Sequence, residues 1–146
     1  MEFSLSILLL SAIAGICAST PIPKGTSAAG INIFNHGELR IYYQDKRSSG
    51  ISEIVTGLPT ALVGEETLIF SGATRANTPL AALSWVDSGD TVPNIRVYYV
   101  TPRTTLGEVA YSPVSGWNSG GDLGFAVLPG SEAMCWLSGI RMMLET

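Results

Sequence analysis

The sequence predicts an all-β chain, a β-propeller of repeated four-stranded blades of which about two to three are present. Three observations predict it. Leu39-Arg40-Ile41-Tyr42-Tyr43 returns as Ile95-Arg96-Val97-Tyr98-Tyr99 and, degraded, as Ile140-Arg141-Met142-Met143-Leu144. The Arg therefore recurs at steps of 56 and 45 residues, near the length of a blade. Ahead of two of these Arg runs stands an Ala-bearing, strand-like run with a Trp: Leu80-Ala81-Ala82-Leu83-Ser84-Trp85, and Glu132-Ala133-Met134-Cys135-Trp136-Leu137. Short β-rich runs are divided throughout by Gly, Pro, Asn, Asp and Ser, with no sustained helical stripe.

Taken in order, the chain opens on an uncharged run of Ser, Leu, Ile and Ala, Phe3 to Ile16, followed by small residues at Cys17-Ala18-Ser19. This pattern predicts a signal peptide over 1–19, removed on secretion to the extracellular space. Cys17 leaves with it, so Cys135 stands alone and the mature chain has no internal disulfide. The remainder, 20–146, reads as repeats at 28–79, 80–131 and an incomplete 132–146. Strands are expected at 29–34, 39–44, 51–56, 66–71, 80–86, 95–100, 106–111, 125–128, 133–137 and 140–144. A β-sandwich accommodates strands at the same spacing, but it does not require copied Arg and Trp positions.

Composition excludes several classes of function. Eight Lys and Arg face twelve Asp and Glu, for a formal charge of −4, and no basic cluster is present to grip phosphates. Nucleic acid is not an expected partner. No apolar run after the leader reaches the length of a membrane-spanning helix. His36, the only histidine, sits between Asn35 and Gly37 and reads as a turn residue, which leaves little for a His-based catalytic or metal site. No cofactor and no enzymatic activity are expected.

The residues that carry chemistry come in pairs. Arg40 is followed by Glu53 and Arg96 by Glu108. With turns at Lys46-Arg47-Ser48 and Thr101-Pro102-Arg103-Thr104, each Glu is predicted roughly opposite its Arg on one sheet face. A guanidinium beside a carboxylate presents donors and acceptors together, which suits sugar hydroxyls because each both donates and accepts. The same pair is also what a cross-strand salt bridge looks like, and such bridges often contribute little. A glycosidase acid/base pair is disfavoured, because Glu53 and Glu108 hold equivalent places in two repeats.

Aromatic company tilts the reading toward binding. Tyr111 follows Glu108, and Trp117 lies in Ser115-Gly116-Trp117-Asn118-Ser119-Gly120-Gly121, expected as an exposed Gly-rich loop. A flat ring there can pack on the apolar face of a sugar. Trp85 and Trp136, between small apolar neighbours, read instead as core residues.

An Ala-rich strand ending in Trp, then Ile-Arg-Val-Tyr-Tyr, then Gly-Glu-Val-Ala-Tyr, then Gly-Trp-x-x-Gly, resembles the repeat of fungal fucose-specific lectins, six-bladed propellers of the Aspergillus and orange-peel-mushroom type. The match is fullest over 80–124. The resemblance implies metal-free fucose sites between adjacent blades, where an Arg and a Glu from one blade meet a Tyr and a Trp from the next. Here it implies one composite site of Arg40, Glu53, Tyr111 and Trp117, and a second half-site of Arg96 and Glu108 whose aromatics would come from a following blade. The first repeat carries Thr56 and Leu62 where Tyr111 and Trp117 stand in the second, so it supplies no aromatic half.

The implied partners are fucosylated glycans or glycoproteins. The competing expectation is a secreted propeller-like interaction protein, or truncated gene product, that has lost sugar binding. Two blades and a fraction cannot close a ring. Either the chain is a piece of a longer propeller, favoured by its ending inside the run Met142-Met143-Leu144, or it forms a homo-oligomer that closes one.

Overall fold

The computed structural model describes residues 27–33, 37–57, 65–88 and 91–131. The expectations for the leader, Cys17, His36, Leu62, Cys135, Trp136 and the strands at 133–137 and 140–144 lie outside the described residues.

Among the described residues there are eight strands: β1 (Ala28–Ile33), β2 (Glu38–Gln44), β3 (Ile51–Gly57), β4 (Glu65–Phe70), β5 (Ala81–Trp85), β6 (Asn94–Val100), β7 (Thr105–Ser112) and β8 (Gly116–Ala126). They form two antiparallel sheets in the orders β1-β2-β3-β4 and β5-β6-β7-β8. Each is a four-stranded meander, the form of a propeller blade. The sheets lie against one another, with β1 beside β5 and β4 beside β8.

Period-two patterning decides which side chains meet between them. In β1 the odd positions Ala29, Ile31 and Ile33 are buried and the even ones exposed. They join Tyr42 and Ile51 of the first sheet and Leu80, Ile95, Val97, Tyr99 and Val109 around the second in one apolar cluster. Each fully buried Ile or Val contributes about 1.5–3 kcal/mol. Gly107 is required here by close approach, because a Cβ on it would run into the Tyr99 ring.

Turn chemistry sets the registers. After β2, the Asp45 carboxylate accepts bonds from the Arg47 amide (2.9 Å) and the Ser48 hydroxyl (2.7 Å). Ser49 takes a left-handed φ of 57°, and the Asp45 amide donates to the Gly50 carbonyl at 2.9 Å. The β6–β7 turn closes similarly, the Thr101 amide donating to the Thr105 carbonyl at 2.8 Å. Between the sheets, the crossing segment 71–80 is tied down by buried Gln44, whose Nε2 donates to Thr74 Oγ1 (2.6 Å) and the Arg75 carbonyl (2.9 Å). Thr74 Oγ1 in turn donates to the Ser49 carbonyl at 2.7 Å. The segment's buried Thr74 is thereby satisfied by hydrogen bonds on both sides.

One expectation is corrected. Residues 116–121 are not a loop: they begin β8, an eleven-residue strand that pairs with β7 from Ser112↔Gly116 and Tyr111↔Trp117 onward. The strand expected at 125–128 is only its tail. Gly116, Gly121 and Gly124 have φ of 67°, 81° and 76°, and the β7–β8 register shifts between Glu108 and Val109. A strand bent by bulges at glycine carries no clean alternation, which is why its sequence resembles a loop.

Candidate sugar-binding groove

The groove is built from one face of each sheet. On β2, alternation sends Glu38, Arg40 and Tyr42 to the same side, and β3 adds Glu53 across from Tyr42. The expectation that Glu53 lies roughly opposite Arg40 on one face is refined by this register: Val55 is the direct partner of Arg40, and Glu53 reaches it diagonally on that face. Arg40 Nη1 donates to Glu53 Oε1 at 3.1 Å, and the Tyr42 hydroxyl donates to the same oxygen at 3.0 Å. On its other flank Arg40 gives two bonds to Glu38 Oε2, from Nη2 at 2.9 Å and from Nε at 3.2 Å.

This environment keeps Arg40 charged. Burial works against its charge, yet the carboxylate of Glu53 and the bonds to Glu38 and Glu53 more than offset it, so its pKa is raised above the ordinary value. The fully buried Tyr42 phenol is held far above its usual range, first by burial and then by the neighbouring Glu53 charge. Tyr42 and Glu38 are the members of the cluster not singled out from sequence. Their signal was present: both stand two residues from Arg40, hence on its face, and Tyr42 is copied as Tyr98.

The second sheet supplies the aromatic wall. Tyr111 of β7 and Trp117 of β8 are cross-strand partners with ring centroids 5.3 Å apart. The Arg40 guanidinium carbon lies 5.9 Å from the Tyr111 ring centre, and Trp117 meets Tyr42 edge to face at 5.9 Å. Arg40, Glu53, Tyr111 and Trp117 are thus gathered at the seam between the sheets. Donors, an acceptor and apolar ring surface face one another there, the combination that a sugar with a hydroxylated rim and an apolar patch requires.

Arg96 and Glu108 are not brought to this seam. Val97 of β6 and Tyr111 of β7 face the first sheet, so the alternate residues Arg96 and Glu108 occupy the reverse face of the second. Arg96 Nε lies 3.6 Å from Glu108 Oε1, while its Nη1 donates to the Ile95 and Tyr111 carbonyls at 2.9 and 3.2 Å. Trp85 stands on the same face with its ring centre 4.9 Å from the Arg96 guanidinium carbon, a cation–π contact. At 38% exposure Trp85 is not the core residue that its small apolar neighbours suggested; its cross-strand partner is Asn94, on the side away from the first sheet.

Comparison with known proteins agrees with this fold. The family described as fungal fucose-specific lectin matches residues 22–145. Similar proteins include the fucose-specific lectin of Aspergillus fumigatus, 36% identical over 117 residues that cover 78% of this chain and 34% of that protein. The fucose-specific lectin of Aleuria aurantia is 36% identical over 116 residues, covering 80% of this chain and 33% of the relative. The chain spans about a third of the length of these relatives. Among solved structures, the fucose-specific lectin from Aleuria aurantia aligns with a TM-score of 0.57 and 28% identity, over 70% of this chain and 32% of its own. A variant of the same lectin in complex with Fucα1-6GlcNAc aligns with a TM-score of 0.55 and 26% identity, over 70% and 31%. The two sheets correspond to blades of that propeller, and the chain belongs to the fungal fucose-specific lectin family.

Proposed function

We propose that this chain contributes to a secreted, non-catalytic lectin that recognises L-fucose in glycans at the groove between its two sheets. The observation that carries the reading is the convergence of Arg40 and Glu53 from one sheet with Tyr111 and Trp117 from the other. In this reading the Arg40 N–H groups not committed to carboxylates donate to ring hydroxyls, Glu53 accepts from a hydroxyl, and the Trp117 and Tyr111 rings cover the apolar side of the sugar with its methyl group. The fucose-binding relatives support the choice of sugar. Arg96 and Glu108 serve as the polar half of a second such site, completed by a following blade from a longer chain or from another copy.

Titration calorimetry of methyl α-L-fucoside against the exported protein, repeated in excess EDTA, tests the proposal. Saturable binding unaffected by EDTA is expected. Absence of binding, or binding that calcium alone restores, overturns the reading. The mass of the same exported material checks secretion, with loss of residues 1–19 as the expected result.

A further inference from the structure

We propose that Glu38 is the positioning residue for Arg40 and makes the groove selective for neutral over anionic glycans; this rests on the fucose reading above. Arg40 has five N–H donors. Among the described residues Glu38 Oε2 takes two of them and Glu53 Oε1 one, which leaves two for a ligand. Nε and Nη2 are the side-on edge of the guanidinium, and engaging both fixes the plane of the group rather than only its distance. Glu38 therefore decides in which direction the uncommitted donors point.

The second consequence is charge. One guanidinium faces two carboxylates, a formal charge of −1 around the polar half of the groove. The two carboxylates are not equivalent: the Glu53 side chain is 5% exposed, whereas that of Glu38 is 31% exposed. Glu38 is thus the charge at the rim, met first by whatever is attached to the sugar in the groove. A sialic acid or sulfate on a neighbouring residue of the glycan meets a like charge within the screening length of about 8 Å at physiological salt.

The Arg96 half-site shows that this arrangement is particular to the first sheet. The residue two positions before Arg96 is the neutral Asn94, whose Nδ2 donates to Asp87 Oδ2 at 2.8 Å. There Trp85 takes over the task of covering the cation. In the first sheet the position in register with Trp85 is Ile33, buried in the core and unable to do so.

The experiment compares methyl α-L-fucoside with a fucosylated trisaccharide, carried with and without a sialic acid, on the wild-type chain, Glu38→Gln and Glu38→Ala. Glu38→Gln retains an acceptor for Arg40 and removes the charge. It is expected to weaken methyl α-L-fucoside binding less than Glu38→Ala does, while gaining roughly two- to fivefold for the sialylated probe relative to the neutral one. Glu38→Ala, which also releases the guanidinium, is expected to lose about tenfold for methyl α-L-fucoside. A wild-type measurement independent of any substitution runs alongside. The neutral preference should shrink as salt rises from about 0.05 M to about 0.5 M. An unchanged ratio in Glu38→Gln, or a wild-type preference indifferent to salt, overturns the selectivity. Full methyl α-L-fucoside affinity in Glu38→Ala overturns the positioning role. Failure of the wild-type chain to bind methyl α-L-fucoside at all instead overturns the fucose reading.

Discussion

The guanidinium carbon of Arg40 lies 5.9 Å from the centre of the Tyr111 ring, on a strand of the other sheet. Between the two run further strands of both sheets and the crossing segment 71–80, so the contact exists only once both sheets have formed and packed. Binding by this groove is accordingly a property of the pair of sheets.

Arg40→Ala and Trp117→Ala should therefore reduce fucose binding alike, although they alter different sheets. Loss of Arg40 removes charge-assisted bonds of about 1.5–3 kcal/mol each, and the expected fall in affinity is about ten- to a hundredfold. Loss of Trp117 removes ring surface and its contact with Tyr42, with a similar effect. Arg103→Ala, in the exposed β6–β7 turn, should leave both affinity and melting temperature unchanged. Fucoside titrations with thermal melts of each variant check this. Normal binding by Arg40→Ala with loss in Arg96→Ala would place the working site on the reverse face of the second sheet.

Alkaline pH should expose the buried phenol. Tyr42 donates to Glu53, and its folded-state pKa lies far above the unfolded value of about 10. A raised pKa means that the contribution to stability is complete below pH ~10 and lost as pH rises beyond it, because the unfolded state releases the proton first. The tyrosinate absorbance of the native chain should accordingly stay incomplete above pH ~10 until unfolding delivers the remainder. In Tyr42→Phe the melting temperature should fall less steeply over that range. A native spectrum that titrates fully near pH 10 would contradict this environment.

Gly107→Ala tests the close packing of the second sheet. The added methyl meets the Tyr99 ring, which is buried and packs at 5.0 Å, tilted by 38°, against Phe70 of the first sheet. Overpacking of this kind costs about 1–3 kcal/mol. The substitution should lower the urea midpoint without changing the slope of the transition, whereas an unchanged midpoint would mean that Tyr99 can move aside.

How much of this was legible in the sequence follows from the range of each interaction. Arg40 and Glu53 are joined by a tight hairpin, and Arg40, Tyr42 and Glu38 share a face by strand alternation alone, so hairpin spacing and period two suffice to place them together. The copied Arg-Ile/Val-Tyr-Tyr runs likewise announce repeated sheets, because a motif returning at blade length implies one supersecondary unit built twice. Which residue stands opposite Arg40 depends on the register, and the Asp45–Gly50 turn set Val55 there and Glu53 two residues along.

Only the tertiary structure decided the rest. Trp85 has the neighbours of a core residue, yet the side of β5 on which it falls is the one turned away from the first sheet, where Arg96 covers it. Trp117 sits among glycines that read as a loop, and pairing with Tyr111 across a bulged ladder makes it part of a strand and a wall of the groove. Resemblance to a family supplied the expectation that Tyr111 and Trp117 meet Arg40 and Glu53; no local pattern contains it. Local alternation and turns act over a few residues and are written into the chain, whereas the packing of one sheet on another depends on all their buried side chains at once.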